Sequence, residues 1–185
     1  TVDVEVSESA LVGLVLSEVF INPAGSDNGL EWIELYNGTG AEVDLSGYSV
    51  GYTLGSSLSD GYAAAGFDLS GSFPAGACIV VGGTTSSEAN FSPSFDVPFN
   101  FDPDVQNSNK AMALFDVNRA QVTASTVPLS AVIYGSNSAG FLDSDGVLQV
   151  SGHVDSPESG NSLERVGETW NIQSTPTPGD CSLGQ

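Results

Sequence analysis

The apolar residues of this chain come in short runs that never settle into helical spacing. No stretch of about 12 residues or more repeats them every third or fourth position between recognisable caps. The runs are instead rich in Val, Ile, Leu and aromatic residues, and Gly, Pro, Asn or Ser closes each one. They fall at 14–21 (LVLSEVFI), 30–37 (LEWIELYN), 43–52, 78–81, 110–117, 131–135, 147–152, 162–166 and 168–172. With 22 Gly and 9 Pro as punctuation, short strands between turns predict an all-β fold, a sandwich or a barrel. No internal repeat or composition break divides 12–182, which reads as one domain behind an acidic tail at 1–11.

Strand alternation then sorts side chains. In the second run Glu31, Ile33 and Leu35 share one face, and Trp32, Glu34 and Tyr36 share the other. Ile33, Leu35, Ile79, Val81, Leu114, Val132 and Leu163 are the expected core, with Phe67 and Leu69 as inward anchors. Phe91, Phe95, Phe99 and Phe101 are expected to pin the polar, proline-rich excursion 84–108 onto the sheets.

Charge narrows the function. The chain has 23 Asp and Glu against 3 Lys and Arg, a formal net charge of −20. Binding nucleic acid requires cations to replace the counterions of the phosphates. Lys110, Arg119 and Arg165 cannot form such a patch, and the same repulsion excludes an anionic membrane surface. No apolar run approaches the roughly 20 residues that span a bilayer, so membrane insertion is not expected. The start carries Asp3, Glu5 and Glu8 where a secretion signal would be basic, as in a chain already processed.

Several segments resemble a lamin tail domain. Its start is similar to Leu16-Ser17-Glu18-Val19, Asn22-Pro23, Glu31-Trp32-Ile33-Glu34-Leu35-Tyr36-Asn37 and Val43-Asp44-Leu45-Ser46-Gly47-Tyr48. Pro74-Ala75-Gly76 fits its middle, and Ser162-Leu163-Glu164-Arg165, Trp170 and Thr177-Pro178-Gly179 fit its end. The resemblance implies an immunoglobulin-like β-sandwich with long loop insertions. It also implies a binding or scaffolding module rather than a catalyst, of the prokaryotic, secreted type. The chain lacks the heptads and the basic localisation run of the nuclear version. On this reading Glu18, Glu31, Trp32, Glu34, Arg165 and Trp170 are structural.

Catalytic patterns are weak. The single histidine, His153 in SGHVDS, lacks a G-x-S-x-G context and reads as a loop residue. Two Cys and one His make no zinc cluster. Glu31 and Glu34 point to opposite faces, which does not suit a facing glycosidase pair. Arg165 is expected to pin strands together through Glu18 or Glu34, with a ligand clamp as the competing role. Cys78 and Cys181 are expected to bridge, stapling the tail across the sandwich. Asn37 and Asn90 begin glycosylation sequons. No cofactor is expected unless calcium binds: Asp143-Ser144-Asp145-Gly146 resembles the start of a calcium loop, with Asp102 and Asp104 as converging ligands. The bland alternative there is a β-turn.

The sequence therefore predicts a non-enzymatic module at the cell surface or outside it, adhering to or scaffolding a protein or a surface polysaccharide. The competing readings are an accessory domain of a secreted hydrolase and a calcium-dependent carbohydrate or surface binder. Oligomeric state and ligand stay open.

Overall fold

The computed structural model describes residues 12–54 and 61–181. The expected tail at 1–11 lies outside them. In chain order the strands are β1 (Gly13–Phe20), β2 (Trp32–Gly38), β3 (Val43–Asp44), β4 (Ser49–Tyr52), β5 (Ala65–Asp68), β6 (Ser72–Phe73), β7 (Cys78–Gly82), β8 (Val97–Pro98), β9 (Lys110–Phe115), β10 (Ser130–Tyr134), β11 (Ser162–Val166) and β12 (Thr169–Gln173). A six-stranded sheet, ordered β12-β11-β1-β2-β7-β8, packs on a four-stranded sheet, β10-β9-β4-β5, and β3 pairs with β6 apart. All pairs are antiparallel except β7 with β8. Helix among the described residues is confined to three single 3-10 turns, and none is long and apolar enough to cross a membrane.

The core lies between the sheets. Leu14, Leu16, Val19, Ile33, Leu35, Val81 and Leu163 meet Val50, Tyr52, Met112, Leu114, Val132 and Tyr134. The expected core residues all belong here, although Ile79 is only partly buried. A bulge between Leu16 and Glu18 sets the phase of β1. The extra residue lets Leu16 and Val19 both point inward while Glu18 points out.

Alternation with one wet face would leave the outer side of β2 exposed, and here it is not. Trp32, Glu34 and Tyr36 are all buried. Phe91 and Phe95 of the long excursion close over Phe20, Trp32 and Val80. Phe20 stacks on Trp32 with ring centres 5.4 Å apart. The C-terminal segment covers the rest of that face. The other two excursion rings, Phe99 and Phe101, pack on Phe67, and Phe101 also meets Tyr52. The four phenylalanines thus pin one loop to two sides of the sandwich.

One expected strand does not form. Residues 147–152 form instead the second arm of a short, irregular hairpin. Beside the Leu142–Leu148 bridge, the Gly140 amide donates to the Gln149 carbonyl, the Gln149 amide to the Phe141 carbonyl and the Asp143 amide to the Val147 carbonyl. Val147, Leu148 and Val150 are exposed. Its partner is the short arm 140–143 rather than a sheet strand, and its end meets the chain just past β10, where the Gly152 amide donates to the Gly135 carbonyl at 3.0 Å.

Candidate functional site

Three clusters of polar side chains emerge. The first is a row of carboxylates across the outer face of the larger sheet. Register places Glu164 opposite Glu18, and Glu18 opposite Glu34. The C-terminal segment roofs this row and supplies donors. Thr177 donates its amide to both Glu18 oxygens at 3.3 Å and its hydroxyl to Oε2 at 3.2 Å. Ser162 donates its hydroxyl to Glu18 Oε1. Glu34 accepts from the Ser17 hydroxyl and from the Gly179 amide, each at 2.7 Å. Glu18 and Glu34 are each 2% exposed. Burial pushes both carboxyls up to about 7, against the pull of these donors. Cys78 and Cys181 are joined at a Cα–Cα distance of 5.6 Å, fastening the roof beside Val15 and Tyr36. Such a pair is sealed, with no room for a sugar between its members.

The second cluster corrects the expectation for Arg165. It makes no hydrogen bond or ion pair with Glu18 or Glu34. Glu164 holds the register position opposite Glu18, so Arg165, one residue on, turns to the other face. There its Nη1 donates to Ser130 Oγ at 3.1 Å and its Nε to the Gly167 carbonyl at 3.0 Å. Ser130 Oγ in turn accepts the Leu16 amide, so Arg165 links the two sheets through one hydroxyl. Its ion pair is with Glu168 at 2.9 Å, an exposed carboxylate. Trp170, opposite Arg165 in register, donates its indole N–H to the Ala131 carbonyl at 2.9 Å. Both border a groove of about 410 Å³ shared with Asp143, Asp145, His153 and Glu168. Burial holds His153 below its ordinary value.

Arg165→Ala is therefore expected to cost only about 1–2 kcal/mol, the loss of two partly buried hydrogen bonds. It strands no buried carboxylate, since Glu168 faces water. Glu168→Ala should cost less than about 1 kcal/mol. Urea denaturation of the two variants checks both values.

The third cluster lies at one end of the sandwich. Glu31 is 1% exposed. Its Oε2 accepts the Val105 amide at 3.0 Å, while its Oε1 has no hydrogen-bond partner. Burial first, then repulsion from Asp104 and Asp27, pushes its carboxyl up to about 9. Asn107 donates to Asp27 Oδ2 at 2.9 Å and leaves its own buried Oδ1 without a partner. Asp102 and Asp104 line a hollow of about 380 Å³ above, with Asn28 and Asn100.

The expected calcium ligands are thus divided between two places. Asp143 and Asp145 border the Arg165 groove, and Asp102 and Asp104 the opposite hollow. Asp143 Oδ1 accepts the amides of Asp145 and Val147 at 3.0 and 2.8 Å, and its Oδ2 accepts from Gln149. It does the backbone work of a turn. Among the described residues no three His, Cys, Asp or Glu side chains are gathered to hold a metal ion. The sequon asparagines serve the fold. Asn37 Nδ2 is committed to the Ala41, Phe73 and Pro74 carbonyls, and Asn90 Nδ2 to Leu30 and Thr85.

Sequence reasoning missed the roles of Glu164, Ser162 and the Thr177 and Gly179 amides. Only the closing Thr177-Pro178-Gly179, read as a family mark, hinted at them. It also missed Asn107 and Asp27, whose partners are about 80 residues away.

Two β-sheets packed face to face, with both outer faces partly roofed by loops, define an immunoglobulin-like module. The lamin tail domain pattern matches residues 7–128, more than half of the chain. The chain belongs to the lamin tail domain family. The fold continues past the matched span through β10, β11 and β12. No curated protein matches the chain.

Proposed function

We propose that this domain is a non-enzymatic extracellular module that adheres to, or scaffolds, a protein or a surface polysaccharide. The observation that carries the reading is the burial of the Glu18–Glu34 pair. Carboxylates that side by side would suit acid–base work are closed under the C-terminal segment. The surface offers contact area instead. The Arg165 groove runs beside the hairpin bearing exposed Val147, Leu148 and Val150, the last 86% exposed. Apolar groups rimmed by Asp143, Asp145 and Glu168 are the composition of a docking surface. The Cys78–Cys181 bridge supports an oxidising compartment. The net charge of −20 disfavours nucleic acid and anionic lipid as partners.

The test is adherence of labelled domain to intact cell-surface preparations, compared with a Leu148→Asp, Val150→Asp double variant. Both side chains face water, so the melting temperature should hold. Adherence of the variant should fall roughly tenfold or more. Equal adherence by both proteins removes the groove side as the contact. Absence of adherence by the unaltered domain overturns the adhesion reading.

A further inference from the structure

We propose a calcium site at the Glu31 end of the sandwich, with Glu31 Oε1 and Asn107 Oδ1 as inner ligands and Asp27 and Asp104 as rim carboxylates. The argument begins with two orphaned oxygens. Glu31 Oε1 and Asn107 Oδ1 are buried, and neither has a hydrogen-bond partner. Asn107 Oδ1 is an acceptor, and so is Glu31 Oε1 whenever the carboxyl is ionised, and a buried acceptor without a donor is costly. Asp27 and Asp104 act on Glu31 with the same sign, and Asp27 and Asp102 act likewise on Asp104. Among the described residues, no cation is one of the groups acting on Glu31. Acceptors and negative charge accumulate here with nothing positive between them.

The geometry holds the inner atoms still. The Val105 amide fixes one oxygen of Glu31, which leaves the other oriented by default. Asn107 spends its N–H on Asp27, so its carbonyl oxygen is the end left over. Two tyrosines brace the same loop from below. Tyr52 donates to the Pro103 carbonyl at 3.0 Å and Tyr134 to the Gln106 carbonyl at 2.6 Å. Segment 103–107 is thus held at both ends over Glu31. Asp102 and Asp104 stand exposed on the same loop and line a hollow with Asn28 and Asn100.

The donor chemistry selects the ion. One carboxylate oxygen, one amide oxygen, rim carboxylates and water form a hard, all-oxygen and irregular set. Calcium accepts six to eight such oxygens in flexible geometry, whereas magnesium demands a near-ideal octahedron. No three carboxylates converge as they stand among the described residues. Ion binding therefore draws the exposed Asp104 carboxylate inward over the Glu31 and Asn107 oxygens. Asp143 and Asp145 take no part.

The test uses the domain after chelator treatment. Thermal melts at about pH 7.5 in calcium or magnesium chloride, at matched ionic strength, are compared up to roughly 10 mM. Calcium should raise the melting temperature along a saturating curve, and magnesium should give only a small linear drift. Glu31→Gln should abolish the calcium shift, and Asp143→Asn should keep it. Should Glu31→Gln fail to fold, Asp104→Asn, altered on an exposed side chain, should move the calcium midpoint up by roughly tenfold. Equal shifts with both ions overturn the site in favour of charge screening. The absence of a saturating shift also overturns it, and assigns the orphaned oxygens to a proton on Glu31 and to water. A full calcium shift in a folded Glu31→Gln or Asp104→Asn variant overturns it as well.

Discussion

Replacing both Cys78 and Cys181 by serine is expected to lower stability by about 4–5 kcal/mol, the value for closing a loop of roughly 100 residues in the unfolded chain. The bridge spans 103 residues and ties the first residue of β7 to the end of the described chain. Its mechanical role adds to the entropic one. Without it, the roof over the outer face is held by the Thr177 and Gly179 amides and the Thr177 hydroxyl on Glu18 and Glu34. Those bonds together are worth a few kcal/mol at most, so the segment should open locally before the sandwich unfolds. Denaturant midpoints of the double variant, and of the unaltered domain under reductant, should shift together. Amide exchange at Thr177 and Gly179 should accelerate in both. A loss below about 1 kcal/mol would show that packing and hydrogen bonds alone keep the roof closed.

Much of the inner face was legible because it depends on local alternation. Ile33 and Leu35 point inward for the reason the sequence suggests, and the SEV step of β1 needs only one bulge to keep Leu16 and Val19 in phase. The outer face was not legible, because its cover comes from afar. Trp32 is closed by Phe91 and Phe95, and Glu34 by Gly179, and no spacing within β2 announces either. Register is a second such property. Whether Glu164 or Arg165 faces Glu18 depends on how β11 docks against β1, and a slip of one residue exchanges the two. The same limit explains 147–152, which pairs with the short arm 140–143 rather than with a sheet strand and so ends as an irregular, exposed hairpin. Glu31 shows a subtler case. Its face was read correctly, but its environment is made by Asp27, Asp104 and Asn107, which only the folded chain brings together.

The stability of the domain is expected to rise as pH falls from about 8 to about 5, the reverse of the pattern of a protein held by salt-bridged carboxylates. Glu18 and Glu34 reach about 7 in the folded chain, against 4.5 as their ordinary value. The folded state therefore binds more protons than the unfolded state between those two values, and the slope of stability against pH is negative there. From these two groups the stabilisation is complete below about 4.5, declines through 7 and is absent above it, while Glu31, pushed up to about 9 by burial, extends the same slope to higher pH. Burial is the first cause for both groups. Glu164 adds repulsion at Glu18, and Glu18 and Asp180 add it at Glu34. The hydroxyls of Ser162, Thr177 and Ser17 and the amides of Thr177 and Gly179 pull the other way and are outweighed. Each pKa unit corresponds to about 1.4 kcal/mol, so the two groups together contribute on the order of several kcal/mol. Chemical denaturation across this range, at fixed ionic strength and with chelator present, reads the slope directly. Glu34→Gln, which keeps the shape and removes the charge, should be more stable than the unaltered domain at about pH 8 and should flatten the curve. A stability that instead climbs with pH would mean that Glu18 and Glu34 are held as ions, with the donors of the C-terminal segment outweighing burial.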